Sequence, residues 1–165
     1  MNCMPGSGRS DDLCPFDRDD LILRFHQTIP STLPALERII RRILRVARTM
    51  ECARGELDKV ELALREALIN SIIHASGGDA RKKVEVCCLC TKDKGMLLVV
   101  RDAGPGFDPK QIPDPTTAEN VFSSHGRGIF LMRQLMDDVR FEEGGRKVVM
   151  KKAARPRKPG ARRPA

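Results

Sequence analysis

Residues 82 to 102 read KKVEVCCLCTKDKGMLLVVRD, two apolar, strand-forming runs on either side of TKDKG. A connection this short forces the two strands to run antiparallel, because a parallel pair needs a crossover of a dozen or more residues. The centre of the fold is therefore expected to be a hairpin, turned at Lys92, Asp93, Lys94 and Gly95. Cys87 and Leu89 fall on the same side as Lys83 and Glu85, which marks an outer face that is partly apolar and a hint of a protein contact.

The segments before the hairpin supply what it packs against. LILRFHQTI sets Leu21, Leu23, Phe25 and Ile29 against Arg24, His26 and Thr28, the two-residue period of a half-buried first or edge strand. Pro30, Ser31 and Thr32 interrupt it, and a helix follows with Leu36, Ile39, Ile40, Ile43, Ala47 and Met50 inward. Its other side is a stripe of Arg38, Arg41, Arg42, Arg45 and Arg48, read as a solvated face, with docking to an acidic protein surface as the alternative. Gly55 separates this helix from a second, Glu56 to about Ala75, with Leu57, Val60, Leu64, Ala67, Leu68, Ser71 and Ile72 as its core stripe. Beside that stripe Glu66, Asn70 and His74 recur at a spacing of four, so a carboxylate, an amide and an imidazole share one helix face.

After the hairpin comes AGPGFDPKQIPDPTTAENVFSSHG, residues 103 to 126, rich in Gly, Pro and Asp and too long for an ordinary connection. It reads as a functional lid. A helix from about Arg127 to Asp137 and a closing hairpin, DVRFEEGGRKVVMKK, turned at Gly144 and Gly145, complete the order strand, helix, helix, two strands, lid, helix, two strands. That order predicts an α+β two-layer sandwich with helices over one face of a mostly antiparallel sheet. The division expected is a disordered N-terminus over residues 1–18, one domain over 19–152 and a basic, Pro-rich disordered tail over 153–165.

Charge and composition exclude several classes. The net charge of +8 is concentrated in residues 146 to 165, which hold nine Lys or Arg and no acid, while residues 1 to 145 carry 21 basic and 22 acidic side chains. With no Trp and no Tyr the chain also lacks the stacking residues of single-strand binders, so no sequence-specific nucleic-acid contact is expected. No run of 18 apolar residues exists and MNCMPGSGRSDD has no secretory features, so the expectation is a cytoplasmic protein without a membrane segment. Cys3, Cys14 and Cys52 are isolated, and Cys87, Cys88 and Cys90 crowd one strand without paired C-x-x-C spacing, which favours buried thiols over a metal site.

Three local signals combine: Glu66 and Asn70 on a helix, Asp102 with Gly104, Gly106 and Phe107 after a strand, and Gly126, Arg127 and Gly128 opening the next helix. The order E-x-x-x-N, D-x-G-x-G-F, lid, H-G-R-G-I closely resembles the ATP-binding domain shared by gyrase, heat-shock chaperones, histidine kinases and anti-sigma factor kinases. This is the GHKL or Bergerat-fold superfamily. The resemblance spans roughly residues 19 to 152, and the compact form looks most like the serine kinase anti-sigma factors of bacteria.

The resemblance implies a Bergerat fold, ATP and Mg²⁺ as cofactors, and roles for individual residues. Asn70 matches the asparagine that helps hold Mg²⁺, a hard cation suited to an amide oxygen. Asp102 matches the aspartate that accepts a hydrogen bond from the adenine amine. Gly104 and Gly106, followed by Phe107, match the glycines that let backbone approach the nucleotide, and Gly126, Arg127 and Gly128 match the segment facing the phosphates. Glu66 matches the base that takes a proton from the attacking hydroxyl. His74 is left between a role at the site and a capping or core role. The function implied is an anti-sigma factor with serine/threonine kinase activity, whose partners are a sigma factor and an anti-anti-sigma substrate, with a homodimer as a possible assembly. A noncatalytic ATP-dependent binding module and a stand-alone histidine-kinase catalytic domain are the alternatives.

Overall fold

In the computed structural model, residues 21–91, 93–112 and 126–154 are described. Lys92 of the expected turn, most of the expected lid, the N-terminus up to residue 20 and the tail from residue 155 lie outside them. Five strands, β1 (Leu21–Pro30), β2 (Lys83–Thr91), β3 (Gly95–Asp102), β4 (Asp138–Glu142) and β5 (Lys147–Lys152), form one sheet in the order β1-β2-β3-β5-β4. Every neighbouring pair is antiparallel. Three helices, α1 (Leu33–Thr49), α2 (Leu57–Ile69) and α3 (Arg127–Leu135), cover one face, giving the α+β two-layer architecture that the sequence predicts.

Alternation along the strands decides which residues meet the helices. Val84, Val86, Cys88 and Cys90 of β2, Met96, Leu98 and Val100 of β3, and Val148 and Met150 of β5 point into the main core. They meet the inward faces of α1 and α2, where Leu36, Ile40, Ile43, Leu64 and Leu68 are almost wholly buried. All five arginines of the α1 stripe are exposed; so is Met50, which the helical period had placed inward but which lies past the last turn. The period along β1 also fails at one point. A bulge between Leu21 and Leu23 turns Leu21 to the opposite face, where it packs with Cys87, Leu89, Leu97, Val99 and Val149 in a second apolar cluster.

Thr32 caps α1 by accepting the Ala35 N–H at 3.4 Å, with a proline in the first turn that has no N–H to leave unpaired. The link to α2 is conformationally costly, since Glu51, Ala53 and Gly55 all have positive φ. Cys52 in that link is joined to Cys90 of β2 by a disulfide with a Cα–Cα distance of 6.1 Å. This corrects the expectation of buried thiols for these two cysteines: residues 38 apart in sequence meet where the connector folds back onto the sheet. Cys87 and Cys88 are buried and outside any disulfide, and burial, with the neighbouring Cys87, pushes the Cys88 thiol far above its usual range.

Lys152 pins three element ends together. Its buried ammonium lies 2.7 Å from the buried Glu56 carboxylate at the start of α2, donates to the Leu135 carbonyl at 2.8 Å, and lies 3.3 Å from Asp137. The Ala153 N–H, first, and the Lys152 charge hold the Asp137 carboxyl below its ordinary value. Its contribution to stability is therefore full above the ordinary Asp range and is lost as pH falls through the lowered folded value.

Closing a loop of this length by a disulfide restricts the unfolded chain by roughly 4 kcal/mol. Cys52→Ala/Cys90→Ala is expected to lower the unfolding free energy by about 3–4 kcal/mol in urea titrations without reductant. An unchanged midpoint would mean that the bridge adds nothing to the packed core.

Candidate nucleotide site

The three signals from the sequence converge on one cavity of about 850 Å³ between α2, α3 and the ends of β3 and β5. Glu66, Asn70 and His74 line it from the α2 side, Asp102, Gly106 and Phe107 from the loop after β3, and Gly126, Arg127 and Gly128 from the start of α3. Gly104 stands behind the lining: a Cβ there would lie 2.7 Å from the Ala75 Cβ.

Local geometry explains how each group is delivered. The core stripe of α2 is buried against the sheet and leaves Glu66 half exposed at the cavity. The helix expected to run unbroken to Ala75 instead widens at Asn70 into a π-helical turn, Asn70–Ala75. There the Ser76 N–H bonds to the Ser71 carbonyl five residues back at 3.1 Å. Such turns are rare and concentrate at functional sites. Gly77 and Gly78, both at positive φ, end it, and the buried hydroxyls of Ser31 and Ser76, 2.9 Å apart, tie that end to β1. Asn70 and His74 are thus not successive steps of one regular α-helix, although both reach the cavity, where His74 is exposed.

On the opposite wall, Gly126 at φ 87 caps α3 and turns the chain so that the helix N-terminus faces the cavity. A Cβ on Gly128 would sit 2.7 Å from Glu66 Oε2, with the Asn70 amide atoms at 3.6 and 3.7 Å. The glycine of one motif is what lets the carboxylate of another stand where it does. Asp102 accepts the Gly104 N–H at 2.8 Å through Oδ1, an Asx turn that opens the D-x-G-x-G-F loop. The Phe107 ring meets Phe141 edge to face, with centroids 5.4 Å apart.

The chain matches the histidine kinase-like ATPase domain over residues 29–152. It belongs to that family. Among its relatives, the anti-sigma F factor of Clostridium acetobutylicum is 30% identical over 102 residues, 59% of this chain and 70% of that protein. The anti-sigma F factor of Clostridium novyi is 33% identical over 102 residues, 59% of this chain and 71% of the relative. The serine-protein kinase RsbW of Bacillus subtilis is 31% identical over 103 residues, 59% of this chain and 64% of the kinase. The five-stranded antiparallel sheet with helices on one face is the GHKL architecture. Among the described residues no helix is long and apolar enough to cross a membrane.

The residues present fit a magnesium nucleotide. Asn70 and Glu66 offer hard oxygen donors side by side, and the glycines at 126 and 128 leave main chain, not side chains, along the wall at the start of α3. Gly145 and Arg146 line the same cavity from the β4–β5 turn, although in sequence the GG pair marks only a turn.

Gly128→Ala tests the closeness of the two motifs. Only the end of the Glu66 side chain stands in the way, so the carboxylate is expected to swing aside at a cost of about 1 kcal/mol in urea unfolding. A loss of about 3 kcal/mol or more would show that the helices separate instead.

Proposed function

We propose that this protein is an ATP-dependent serine/threonine protein kinase and anti-sigma factor, acting in the cytoplasm. It sequesters a sigma factor and phosphorylates an anti-anti-sigma protein. The observation that carries the proposal is the placement of the Glu66 carboxylate against Gly128 at the mouth of α3, beside the Asn70 amide. Relatives named as anti-sigma F factors and serine-protein kinases support the choice of partners.

In this reading the adenine end of ATP lies by Asp102, whose carboxylate accepts a hydrogen bond from the exocyclic amine and so selects against guanine, which offers a carbonyl at that edge. The phosphates face the N-terminus of α3, where the first-turn main-chain N–H groups and the helix dipole favour negative charge, with Arg127 as a further cation. Mg²⁺, held by Asn70, would neutralise phosphate charge as transfer proceeds. Glu66 accepts the proton of the substrate hydroxyl as that oxygen bonds to the γ-phosphorus and the bond to the β-phosphate oxygen breaks. The phosphate adds roughly −1.5 to −2 charge to the anti-anti-sigma protein, which ends its docking and frees the kinase for sigma.

Glu66→Gln keeps size and helix packing but removes the base, so transfer from labelled ATP to the anti-anti-sigma protein is expected to slow by about 10²–10⁴. ATP affinity and sigma binding should change little. Wild-type transfer rates in the variant would remove the role given to Glu66; absence of transfer in the wild type, with ATP and partner bound, would make the protein a noncatalytic regulatory module.

Two further substitutions separate the ends of the nucleotide. Asn70→Ala is expected to weaken ATP binding about tenfold with Mg²⁺ present and hardly at all in its absence. Asp102→Asn should weaken it about tenfold under both conditions, because the amide presents a donor to the adenine amine. Calorimetric titrations with and without Mg²⁺ distinguish these patterns, and equal affinities for both variants and wild type would remove the site.

A further inference from the structure

We propose that the β4–β5 turn, acting through Gly145, is a positioning element of the nucleotide site: it clamps the D-x-G-x-G-F loop in the shape that brings Asp102 and Phe107 to the cavity. The inference rests on the nucleotide reading above and adds to it a segment that the motifs leave out. β3 and β5 pair regularly as far as Arg101 and Lys147. One residue on, the Asp102 N–H donates to the Arg146 carbonyl at 2.9 Å, and the chain then leaves the sheet. It returns at Phe107, whose N–H donates to the Gly144 carbonyl at 2.8 Å. Residues 103 to 106 are thus a short span held at both ends by the same turn.

Close packing makes the hold specific. A Cβ on Gly106 would lie 2.1 Å from the Gly144 carbonyl oxygen, and a Cβ on Gly145 would lie 2.4 Å from the Phe107 oxygen and 2.9 Å from its nitrogen. These obstacles are main-chain atoms, which cannot rotate away as a side-chain end can. Each strand of the clasp therefore lacks a side chain where the other passes. Phe141 of β4 braces the Phe107 ring from the side of the same hairpin.

Gly144 provides the internal comparison. It and Gly145 both have positive φ, 65° and 84°, so the turn makes a similar backbone demand at each. A Cβ on Gly144, however, meets nothing within 4 Å, whereas one on Gly145 meets the loop. If the glycines serve only the turn, alanine at either position has the same consequence. If Gly145 serves the site, alanine there displaces the loop, and with it the groups that hold the nucleotide.

The experiment compares Gly144→Ala and Gly145→Ala with wild type by equilibrium titration with ATP and by thermal unfolding without nucleotide. Both variants are expected to unfold at lower temperature, Gly145→Ala by more than Gly144→Ala, because both carry the positive-φ penalty and only the first also meets main chain. Gly145→Ala should weaken ATP binding by about tenfold or more, as for a site group moved by about an ångström, and Gly144→Ala by less than about twofold. In phosphate-transfer assays the loss should appear in KM for ATP, with kcat nearly unchanged, since Glu66 and Asn70 stand on α2 and its π-turn. Equal ATP affinity in the two variants would overturn the clamp while leaving the nucleotide reading intact; a wild type that binds no ATP would overturn both. Should Gly145→Ala fail to fold, hydrogen exchange on the nucleotide-free wild type decides: the Phe107 amide is expected to be protected before ATP is added, and an unprotected amide overturns a preformed clamp.

Discussion

The site depends on a contact made possible by a missing side chain. α2 and α3 approach closely enough at Gly128 that a single methyl group there would reach the Glu66 carboxylate. Everything that fixes those two helices therefore fixes the distance between the carboxylate and the N-terminus of α3. The fully buried Leu64 and Leu68 hold α2 to the sheet, and Met132 does the same for α3. Lys152 then links the start of α2 with the end of α3 through Glu56 and the Leu135 carbonyl. Burying two charges carries a desolvation cost that their attraction offsets only with good geometry, and removing one partner leaves the other stranded. That penalty makes the pair a strict locator of helix ends, whatever its net contribution to stability.

The loop side of the cavity is built on a different principle. Beyond the edge-to-face contact of Phe107 with Phe141, main-chain hydrogen bonds and glycine-to-backbone contacts hold the D-x-G-x-G-F segment against the β4–β5 turn. Helices packed by side chains and a loop packed by backbone give the cavity one wall that resists displacement and one whose shape follows the hairpin beside it.

Much of this was legible in the sequence because it depends on period and punctuation. The alternation of Val84, Val86, Cys88 and Cys90 gave the inner face of β2, and the short TKDKG connection gave the antiparallel pairing. The E-x-x-x-N, D-x-G-x-G-F and G-R-G segments were each found, and the fold brings them to one cavity. What escaped depends on tertiary contact. The π-turn at Asn70–Ala75 leaves no local composition signal, since NSIIHA reads equally well as an α-helix. The bulge beside Leu21 reverses one residue in an otherwise regular alternation. The Cys52–Cys90 bridge joins a connector and a strand whose proximity no spacing rule contains. Gly145 is in sequence like any hairpin glycine, and only the fold lays the neighbouring loop against it.

The arginine stripe of α1 has a consequence of another kind. Arg42 is held by Gln27 at 3.0 Å and stacks over Phe25, while Glu37, the one acid in α1, is engaged by Arg65 of α2. Arg38, Arg41, Arg45 and Arg48 repeat along the exposed side at helical spacing, and Glu37, whose charge also meets Arg41, is the one acid that α1 sets beside them. Like charges at such spacing repel by about 0.2–0.5 kcal/mol per pair, and they lie within the screening length of about 8 Å that physiological ionic strength provides. Added salt therefore relieves strain within α1, so that this helix, unlike one laced with ion pairs, is more secure in concentrated electrolyte than in dilute buffer.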